Sequence, residues 1–455
     1  MQSSTVVARL NHMPLGRVHR QIALVIGLGL FFELYDVFLA GVLGTVLTEQ
    51  FHVSKAVQPL LLGSAFLGMF LGAILLNRMA DVIGRKKAFM MNLLIYSVFT
   101  FIGAFSPGVA FLIVCRFLAG IGIGAQPPLS DTYLSELLPA KDRGRLMGWA
   151  YTLQFCSMPV EGFLARWLVP LHPGMAGWRW LFIIGSLGAV FVWALQQRLP
   201  ESPRWLEAMG RHSEAEAIVR HIEASVGAVG DHAVADVEAV KPPRLPVSTL
   251  FHRQYRGRTT MLWVFQILQT LGYYGFGTLV PLILAAKGYT VIHSLEYTAL
   301  SFFGYPIGSL ISLPLLQRLE RKWMIVLSAL AMAVFGILFG LSNSVALVVV
   351  FGFLYTLVSN VFSNAYHIFQ VEIYPTAIRA TASGAGYSLS RLMSGLIPFI
   401  LLPVLNQHGA TAMFSVVAAA MVVIMLDIGI FGPRTTGRPL EDVNERQLIE
   451  KTYGS

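Results

Sequence analysis

Twelve apolar runs, each long enough to cross a lipid bilayer as a helix, constrain the fold of this 455-residue chain more than any other feature. A helix needs about 20 apolar residues to cross roughly 30 Å of hydrocarbon. The runs, numbered as spans one to twelve, lie at residues 21–47, 57–79, 87–106, 109–137, 145–169, 178–198, 259–284, 293–317, 323–342, 345–370, 379–404 and 410–432. They predict an all-α membrane protein with twelve transmembrane helices.

The composition argues against a soluble enzyme. Hydrophobic residues make up 55% of the chain and charged residues only 13%, about half the charged share of a typical soluble protein. The net charge of +9 does not indicate a nucleic-acid surface, because the basic residues lie in short loops and are not interleaved with stacking aromatics. The two cysteines, Cys115 and Cys156, fall inside spans and form no metal-ligand cluster.

The distribution of lysine and arginine predicts the orientation. Opposite loops hold little more than Lys55 and Lys287, and an excess of Lys and Arg marks cytoplasmic loops. We therefore expect an inner- or plasma-membrane protein with both termini in the cytoplasm. The basic residues on the predicted cytoplasmic side include Arg9, Arg17, Arg20, Arg78, Arg85, Lys86, Lys87, Lys141, Arg143, Arg145, Arg318, Arg321, Lys322 and Arg379.

One long polar stretch divides the spans six and six. It carries charged residues at helical spacing, and we expect a cytoplasmic linker with one or two short amphipathic helices. The predicted organisation is a cytoplasmic N-terminal segment, a six-helix bundle, the linker, a second six-helix bundle and a cytoplasmic tail, at residues 1–20, 21–198, 199–258, 259–432 and 433–455.

An internal repeat supports two pseudo-symmetric bundles. Two motifs recur at the same offset of 236 residues (317 − 81 and 372 − 136), which chance does not readily produce. The pairs are Asp81-Val-Ile-Gly84-Arg85-Lys86 with Gln317-Arg-Leu-Glu320-Arg321-Lys322, and Glu136-Leu-Leu-Pro139-Ala-Lys-Asp-Arg143 with Glu372-Ile-Tyr-Pro375-Thr-Ala-Ile-Arg379.

Three motifs of the first half carry glycines or charges at fixed spacing. They are Asp81-x-x-Gly84-Arg85-Lys86-Lys87, Arg116-x-x-x-Gly120-x-Gly122-x-Gly124 and Pro200-Glu201-Ser202-Pro203-Arg204-Trp205-Leu206. Together they resemble signatures of the major facilitator superfamily between spans two and three, in span four, and after span six of sugar porters and organic-ion transporters. Asn77 stands where that family usually has glycine, so we expect looser helix packing at that point.

The second half is most similar to the niacin-permease-like, aromatic-acid:proton symporter and organic-ion branch. The residues that carry this resemblance are Tyr273-Tyr274-Gly275, Ser294-Leu295-Glu296-Tyr297 and Glu372-Ile-Tyr-Pro375-Thr-Ala-Ile-Arg379-Ala-Thr. The resemblance implies a secondary active transporter that moves a small organic anion, such as an aromatic monocarboxylate, by alternating access. A carrier of a sugar, polyol or organic cation, and a non-transporting sensor of the same fold, remain alternatives.

Acidic residues inside spans are the candidates for proton coupling, because intramembrane charges are costly and usually functional. Glu33 and Asp36 are three residues apart on one face of span one, where two close carboxylates resist double ionisation. In the sugar porters that this chain resembles, an arginine at the position of Arg116 pairs with the acid at the position of Asp36. Glu161 in span five is a further candidate, and a permanent structural pair is the alternative for Asp36 and Arg116.

Arg391, near the centre of span eleven, is the candidate for binding a substrate anion, since its planar guanidinium suits a carboxylate. A structural partnership with Glu33 or Asp36 is the alternative. Other candidates for substrate contacts are polar or aromatic residues inside spans, which more often serve packing: Gln266, Gln269, Tyr273, Tyr274, Tyr35, Asn360 and Asn364.

Charged motif residues at the ends of the spans are expected to control the conformational balance. The resemblance implies that they form charge networks which latch one state: Asp81, Gly84, Arg85, Glu136, Arg145, Arg321, Glu372 and Arg379. The sequence contains no nucleotide-binding loop, metal-ligand spacing or nucleophile elbow. We expect no enzyme activity and no cofactor. We expect the protein to be a monomer. Its expected partners are a small-molecule substrate, protons and the lipid bilayer, and nucleic acid is not among them.

Overall fold

The computed structural model describes residues 6–171, 174–227, 247–253, 255–374 and 376–436, and every regular element in these ranges is helical. The predicted all-α fold class is therefore confirmed. A 3-10 helix at Val247–Phe251 precedes span seven. The α-helices are Val6–His12, Arg17–Val42, Gly44–Gln50, Gln58–Ile83, Arg85–Ala104, Val109–Gly124, Gln126–Leu137, Arg143–Phe155, Ser157–Leu168, Gly177–Gln196, Pro203–Ala208, His212–Val226, Arg256–Ala286, Val291–Phe302, Gly304–Arg318, Arg321–Leu341, Val345–Glu372 and Thr376–Phe431.

Three spans are interrupted shortly before a proline. Span four breaks at Ala125, span five at Cys156 and span eight at Phe303. In each case a proline follows within three residues. Proline lacks the N–H that a helix interior needs, and its ring clashes with the carbonyl four residues earlier. The breaks follow from these prolines and do not interrupt the apolar character of the spans.

The count of membrane-crossing helices depends on two irregular segments. Within the described ranges, ten helical stretches are long and apolar enough to cross a membrane. One of them, Thr381–Phe431, contains both span eleven and span twelve, which separate at Gly409 with φ of 79°. Span five consists of two shorter helices and lies outside the ten. These stretches and span five together accommodate the twelve predicted spans.

The described residues fall into two compact units. The first contains those within Met1–Val37, Ser64–Ser157 and Arg179–Val240, and the second those within Phe38–Gly63, Met158–Trp178 and Lys241–Ser455. The second unit thus includes the end of span one, the start of span two and the end of span five. The boundaries predicted for the two six-helix bundles remain a prediction.

Glycines allow close helix crossings inside the second unit. A Cβ atom on Gly63 would lie 2.2 Å from the carbonyl oxygen of Gly395, and one on Gly162 would lie 2.7 Å from the Cβ atom of Ala299. Neither position has room for a larger side chain without movement of its neighbour. The start of span two is therefore packed tightly against span eleven, and the end of span five against span eight.

The N-terminal helix Val6–His12 packs against the helices of the linker, and we call this group of three helices the N-terminal clasp. Pro203–Ala208 and His212–Val226 are the linker helices, and they occupy the stretch in which amphipathic helices were expected; residues 228–246 lie outside the described ranges. The buried core of the clasp consists of Val6, Leu10, Met13, Trp205, Leu206, Ala215, Val219 and Ile222.

Candidate functional site

Asp36 and Arg116 form a buried ion pair in the first unit. Both side chains are 1% exposed, and Nη1 of Arg116 donates to Oδ2 of Asp36 at 2.8 Å. The other terminal nitrogen of Arg116 donates to the backbone carbonyl of Asp36. Oγ1 of Thr100 donates to the second carboxylate oxygen at 2.6 Å. Because desolvating two charges is expensive, such a pair persists only with good geometry and further hydrogen bonds, which Thr100 and the carbonyl supply.

The glycine motif of span four explains why Arg116 reaches this position. A Cβ atom on Gly120 would lie 2.1 Å from the carbonyl oxygen of Ala65, and one on Gly124 would lie 2.1 Å from that of Met69. Span four therefore approaches span two almost backbone to backbone. The arginine lies one helical turn before the first of these contacts, on the neighbouring turn of the same helix.

Glu33 is buried one turn from Asp36 and has a different partner. Its side chain is 2% exposed, and Nε2 of Gln154 donates to Oε2 of Glu33 at 3.3 Å. Tyr96 lies within electrostatic reach of both carboxylates. Among the described residues, the buried hydroxyl of Tyr96 has no hydrogen-bond partner. The two acids thus share a polar neighbourhood, although each is held by its own partner.

Arg391 lies in an aromatic environment in the second unit. The residue is 7% exposed, and its Nη1 donates to the hydroxyl of Tyr274. Its guanidinium carbon is 4.8 Å from the ring centroid of Tyr274 and 4.5 Å from that of Tyr387. The ring of Phe38 stacks on Tyr274 at 6.0 Å with an interplanar angle of 12°. Cation–π contacts of this kind stabilise a desolvated guanidinium.

Two buried glutamines extend this polar region along span seven. Nε2 of Gln269 donates to Oγ of Ser390, the residue before Arg391, at 3.0 Å. Nε2 of Gln266 donates to the hydroxyl of Tyr366 at 2.8 Å and to Oε1 of Gln370 at 3.1 Å. Both amides are buried and bonded within the second unit, Gln269 beside Arg391 and Gln266 against span ten.

The remaining residues predicted to contact substrate contact other helices. Asn364 donates to Oγ of Ser312 at 2.7 Å, and Asn360 donates to the carbonyl of Tyr305, so both join span ten to span eight. Tyr273 packs edge-on against Tyr274 at 4.9 Å. Tyr35 belongs to the first unit, where its hydroxyl donates to the carbonyl of Leu181 at 3.1 Å. Glu161 is fully buried in the second unit.

A match to a family model decides the affiliation of the chain. The model of the sugar (and other) transporters matches residues 22–446. The chain belongs to this family of the major facilitator superfamily. It is therefore a multi-pass membrane transporter, as the motifs of the sequence indicate.

Two relatives of this transporter are named as carriers of niacin and of 4-hydroxybenzoate, and a structural neighbour is a xylose transporter. The transporter is 29% identical to the niacin transporter NiaP of Acinetobacter baylyi, over 96% of this chain and 99% of the relative. It is 27% identical to the 4-hydroxybenzoate transporter PcaK of the same species, over 82% of each chain. A partially occluded, inward-open structure of the xylose transporter XylE from E. coli aligns with a TM-score of 0.73, at 20% identity over 92% of this chain and 99% of that chain. The last comparison shows the fold alone.

Charged motif residues of the transporter meet at the ends of the spans in the first unit. Arg85 contacts Asp81 at 2.8 Å and Glu136 at 3.3 Å. Oε1 of Glu201 accepts hydrogen bonds from the backbone N–H groups of Arg85 at 2.9 Å and of Lys86 at 3.1 Å. The carboxylate thereby satisfies free N–H groups at the start of span three. The motif after span six thus caps the motif between spans two and three.

Gly84 is required by this arrangement. Its φ of 100° is rarely adopted by other residues. A Cβ atom at this position would also lie 2.3 Å from Oε2 of Glu201. The glycine predicted to belong to the charge network therefore acts through its backbone, by giving the carboxylate access to the helix start.

The second unit contains a corresponding pair. Nε of Arg321 lies 3.2 Å from Oε1 of Glu372. The backbone N–H of Arg321 donates to Oγ1 of Thr436 at 3.2 Å, so a residue after span twelve caps the start of span nine. Arg379 donates to the carbonyl of Tyr374 at 3.3 Å. Each half thus places an Arg–Glu pair beside a capped helix start.

One residue predicted for these networks lies elsewhere. Arg145 is exposed. Two residues earlier, Arg143 donates to Oδ1 of Asn11 at 3.1 Å and to the carbonyl of Leu138 at 3.2 Å. Arg204 donates to the same Asn11 oxygen at 2.7 Å. The basic residue that contacts its neighbours in this region is therefore Arg143, which links Asn11 of the first helix to the carbonyl of Leu138.

Sequence reasoning missed several residues near the Asp36–Arg116 pair and near Arg391. Tyr96 and Thr100 lie four residues apart on the apolar span three, and Asn92 continues the series one turn earlier; all three are buried. This polar stripe is a signal that could have identified them. Tyr387 precedes Arg391 by one turn, which also favours contact on a helix. No local pattern singles out Phe38.

Proposed function

We propose that the transporter moves a small aromatic monocarboxylate together with protons by alternating access. The observation that carries the proposal is Arg391, a buried cation surrounded by aromatic rings. A desolvated guanidinium gains most from a carboxylate, which accepts two parallel hydrogen bonds. The named relatives support this substrate class, because niacin is a pyridine carboxylate and 4-hydroxybenzoate a benzene carboxylate.

Proton coupling is assigned to the Asp36–Arg116 pair, with Glu33 and Glu161 as further carriers. Protonation of Asp36 removes its charge and most of the attraction of Arg116 for it, so the pair opens when the proton binds. The 1% exposure of both side chains supports this role, because charge in a desolvated site strongly affects the balance between conformations.

The remaining assignments follow the predicted orientation. The transporter resides in the inner or plasma membrane with both termini in the cytoplasm, acts as a monomer and catalyses no chemical reaction. The Arg85–Glu136 and Arg321–Glu372 pairs hold one conformational state and open during the cycle.

Uptake into proteoliposomes tests the proposal. Purified transporter with an imposed pH gradient should accumulate radiolabelled nicotinate and 4-hydroxybenzoate but not nicotinamide or xylose, with protein-free liposomes correcting for passive entry of the acids. Arg391→Lys should raise the half-saturating concentration about tenfold, because Lys keeps the charge but loses the planar contact. Arg391→Ala should cost on the order of 2–5 kcal/mol of binding. Accumulation of xylose without the acids would favour the sugar alternative.

A further inference from the structure

The hydroxyl of Tyr274 already occupies part of the hydrogen-bonding surface of Arg391. Nη1 of the arginine donates to this hydroxyl, and the guanidinium carbon lies 4.8 Å from the centre of the same ring. The ring of Phe38 also stacks on the tyrosine ring, nearly parallel at 12°. Tyr274 is thus a planar aromatic ring whose oxygen is bound to the guanidinium and whose face is stacked on a phenylalanine.

An aromatic carboxylate can make the same two contacts. Its ring has the flat shape of the phenol ring, and its oxygen atoms are carried at the edge of the ring, one carbon atom further out than the hydroxyl oxygen. The carboxylate is the stronger acceptor, because it carries a negative charge and can accept two parallel hydrogen bonds from the guanidinium. An aromatic acid would therefore outcompete the tyrosine oxygen for Arg391, whereas a neutral amide would not.

The surroundings of Tyr274 allow such a displacement. Tyr273 next to it is buried, whereas Tyr274 and Tyr387 are partly exposed. A partly exposed side chain can change rotamer without opening a packed core. Tyr387, 4.5 Å from the guanidinium carbon on its own helix, keeps a cation–π contact when Tyr274 leaves.

We propose that Tyr274 is an internal placeholder for the substrate on Arg391 and determines its selectivity for aromatic acids. This inference rests on the proposed function of Arg391. The carboxylate of the entering acid replaces the tyrosine hydroxyl at Nη1, and the ring of the acid takes the stacked position beside Phe38. The tyrosine keeps the buried cation hydrogen-bonded between transport cycles and admits only solutes that replace both of its contacts.

A structural role for Tyr274 predicts the opposite effect of removing its hydroxyl. If the hydroxyl orients Arg391 for substrate, Tyr274→Phe would leave the guanidinium less ordered and weaken the binding of acids. If the hydroxyl competes with substrate, Tyr274→Phe keeps the stacked ring, removes the competitor and strengthens binding. The sign of the change in Kd therefore separates the two roles.

Binding of three probes to the full-length purified protein tests the placeholder. The probes are benzoate, cyclohexanecarboxylate, which lacks the flat ring, and benzamide, which lacks the charge. Tyr274→Phe should lower the Kd of benzoate roughly fivefold, since a net hydrogen bond no longer has to be broken. The matched control Tyr289→Phe, whose hydroxyl contacts the carbonyl of Asn343, should leave it unchanged. Phe38→Leu should reduce the preference for benzoate over cyclohexanecarboxylate.

A fluorine probe reports the displacement directly. With 3-fluorotyrosine at position 274, benzoate should shift the fluorine resonance with a midpoint equal to its Kd, and benzamide should not. Benzoate binding with an unmoved resonance, or with a weaker Kd in Tyr274→Phe, would overturn the placeholder while leaving the anion site intact. A wild-type protein that binds neither acid would remove the proposed function as well.

Discussion

At the scale of single residues, Asp36 is held by contacts to both its side chain and its backbone. Its two carboxylate oxygens accept from Arg116 and Thr100, and its backbone carbonyl accepts from the same arginine. All the side chains involved are buried. Loss of the negative charge therefore leaves Arg116 with only neutral acceptors on Asp36 itself.

Asp36→Asn fixes this site in a state that resembles the protonated carboxyl. We expect the variant to bind solute and to exchange it across the membrane, but not to concentrate it, because no proton can be taken up or released. Counterflow exchange and pH-driven uptake in the same proteoliposomes measure the two activities separately. Glu33→Gln serves as the comparison: uphill uptake retained in Asp36→Asn and lost in Glu33→Gln would transfer the coupling role to Glu33.

The sequence identified the charged members of the site more readily than the neutral ones. Asp36, Arg116 and Arg391 stand out because charge inside an apolar span is rare and costly. Thr100 is marked only by the polar stripe that it forms with Asn92 and Tyr96, and Phe38 is not marked at all, because phenylalanine is common in membrane helices. Their contacts depend on the rotation of each helix about its axis, which hydropathy does not determine.

At the scale of elements, Arg9 joins the first helix of the N-terminal clasp to its last helix. Arg9 contacts Glu216 at 2.7 Å and also pairs with Glu223 through both of its carboxylate oxygens. The arginine side chain is 17% exposed, so these pairs are better shielded than ordinary surface pairs. The hydrogen bonds that Arg9 donates to Glu223 are the main reason why the pKa of Arg9 lies above its usual range.

Arg9→Ala should loosen the clasp. We expect roughly fivefold faster hydrogen exchange in His212–Val226, the effect of losing about 1 kcal/mol of local stability. The matched control is Arg211→Ala, which removes an exposed pair with Glu214 and should leave exchange unchanged. Equal exchange in both variants would show that the apolar core alone holds the helix in place.

The contact between Arg9 and Glu216 should weaken in acid. Burial opposes ionisation of Glu216, but hydrogen bonds from Arg220 and Arg9 outweigh it and hold its pKa below the ordinary value of 4.5. A carboxylate with a lowered pKa stabilises the fold above its unfolded pKa, and this contribution is lost as the pH falls through the folded pKa. Exchange in His212–Val226, corrected for intrinsic rates, should therefore rise below pH 4.5 in the wild type and much less in Arg9→Ala.

The elements themselves were largely predictable, with one systematic exception. Membrane-length apolar runs predict helices because every backbone polar group in a bilayer core must be satisfied within the protein. The breaks at Ala125, Cys156 and Phe303 were not predicted, although each precedes a proline. Many membrane helices tolerate proline, since neighbouring groups satisfy the freed carbonyl. A proline therefore marks a possible break without determining whether the helix ends.

At the scale of the whole molecule, the internal repeat extends from sequence to contacts. Arg85–Glu136 and Arg321–Glu372 are separated by the same 236 residues as the motifs that contain them (321 − 85 and 372 − 136). A residue after the sixth span caps the third, and a residue after the twelfth caps the ninth. The capping residues are Glu201 and Thr436, so the contact is preserved while its chemistry differs. Such equivalence could not be read from the degenerate sequence of the second copy.

The orientation of the molecule is tested by labelling from the two sides of the membrane. Lys141, Ser213 and Arg434 are exposed positions on loops or the linker that carry the excess of positive charge, whereas His52 and His293 are exposed at the opposite ends of the spans. Single cysteines are placed at these positions in a protein lacking Cys115 and Cys156, the free cysteines of the chain.

An impermeant maleimide should label the first three positions only in inverted vesicles and the two histidine positions only in intact cells, because Lys- and Arg-rich loops are retained in the cytoplasm. Cytoplasmic labelling of His52 together with external labelling of Lys141 would reverse the orientation. A mixed pattern would contradict the repeat as well as the orientation. If Lys141 and Arg434 were labelled from opposite sides, the two ends of the repeat would no longer share a side, and the parallel arrangement of the two halves would have to be abandoned.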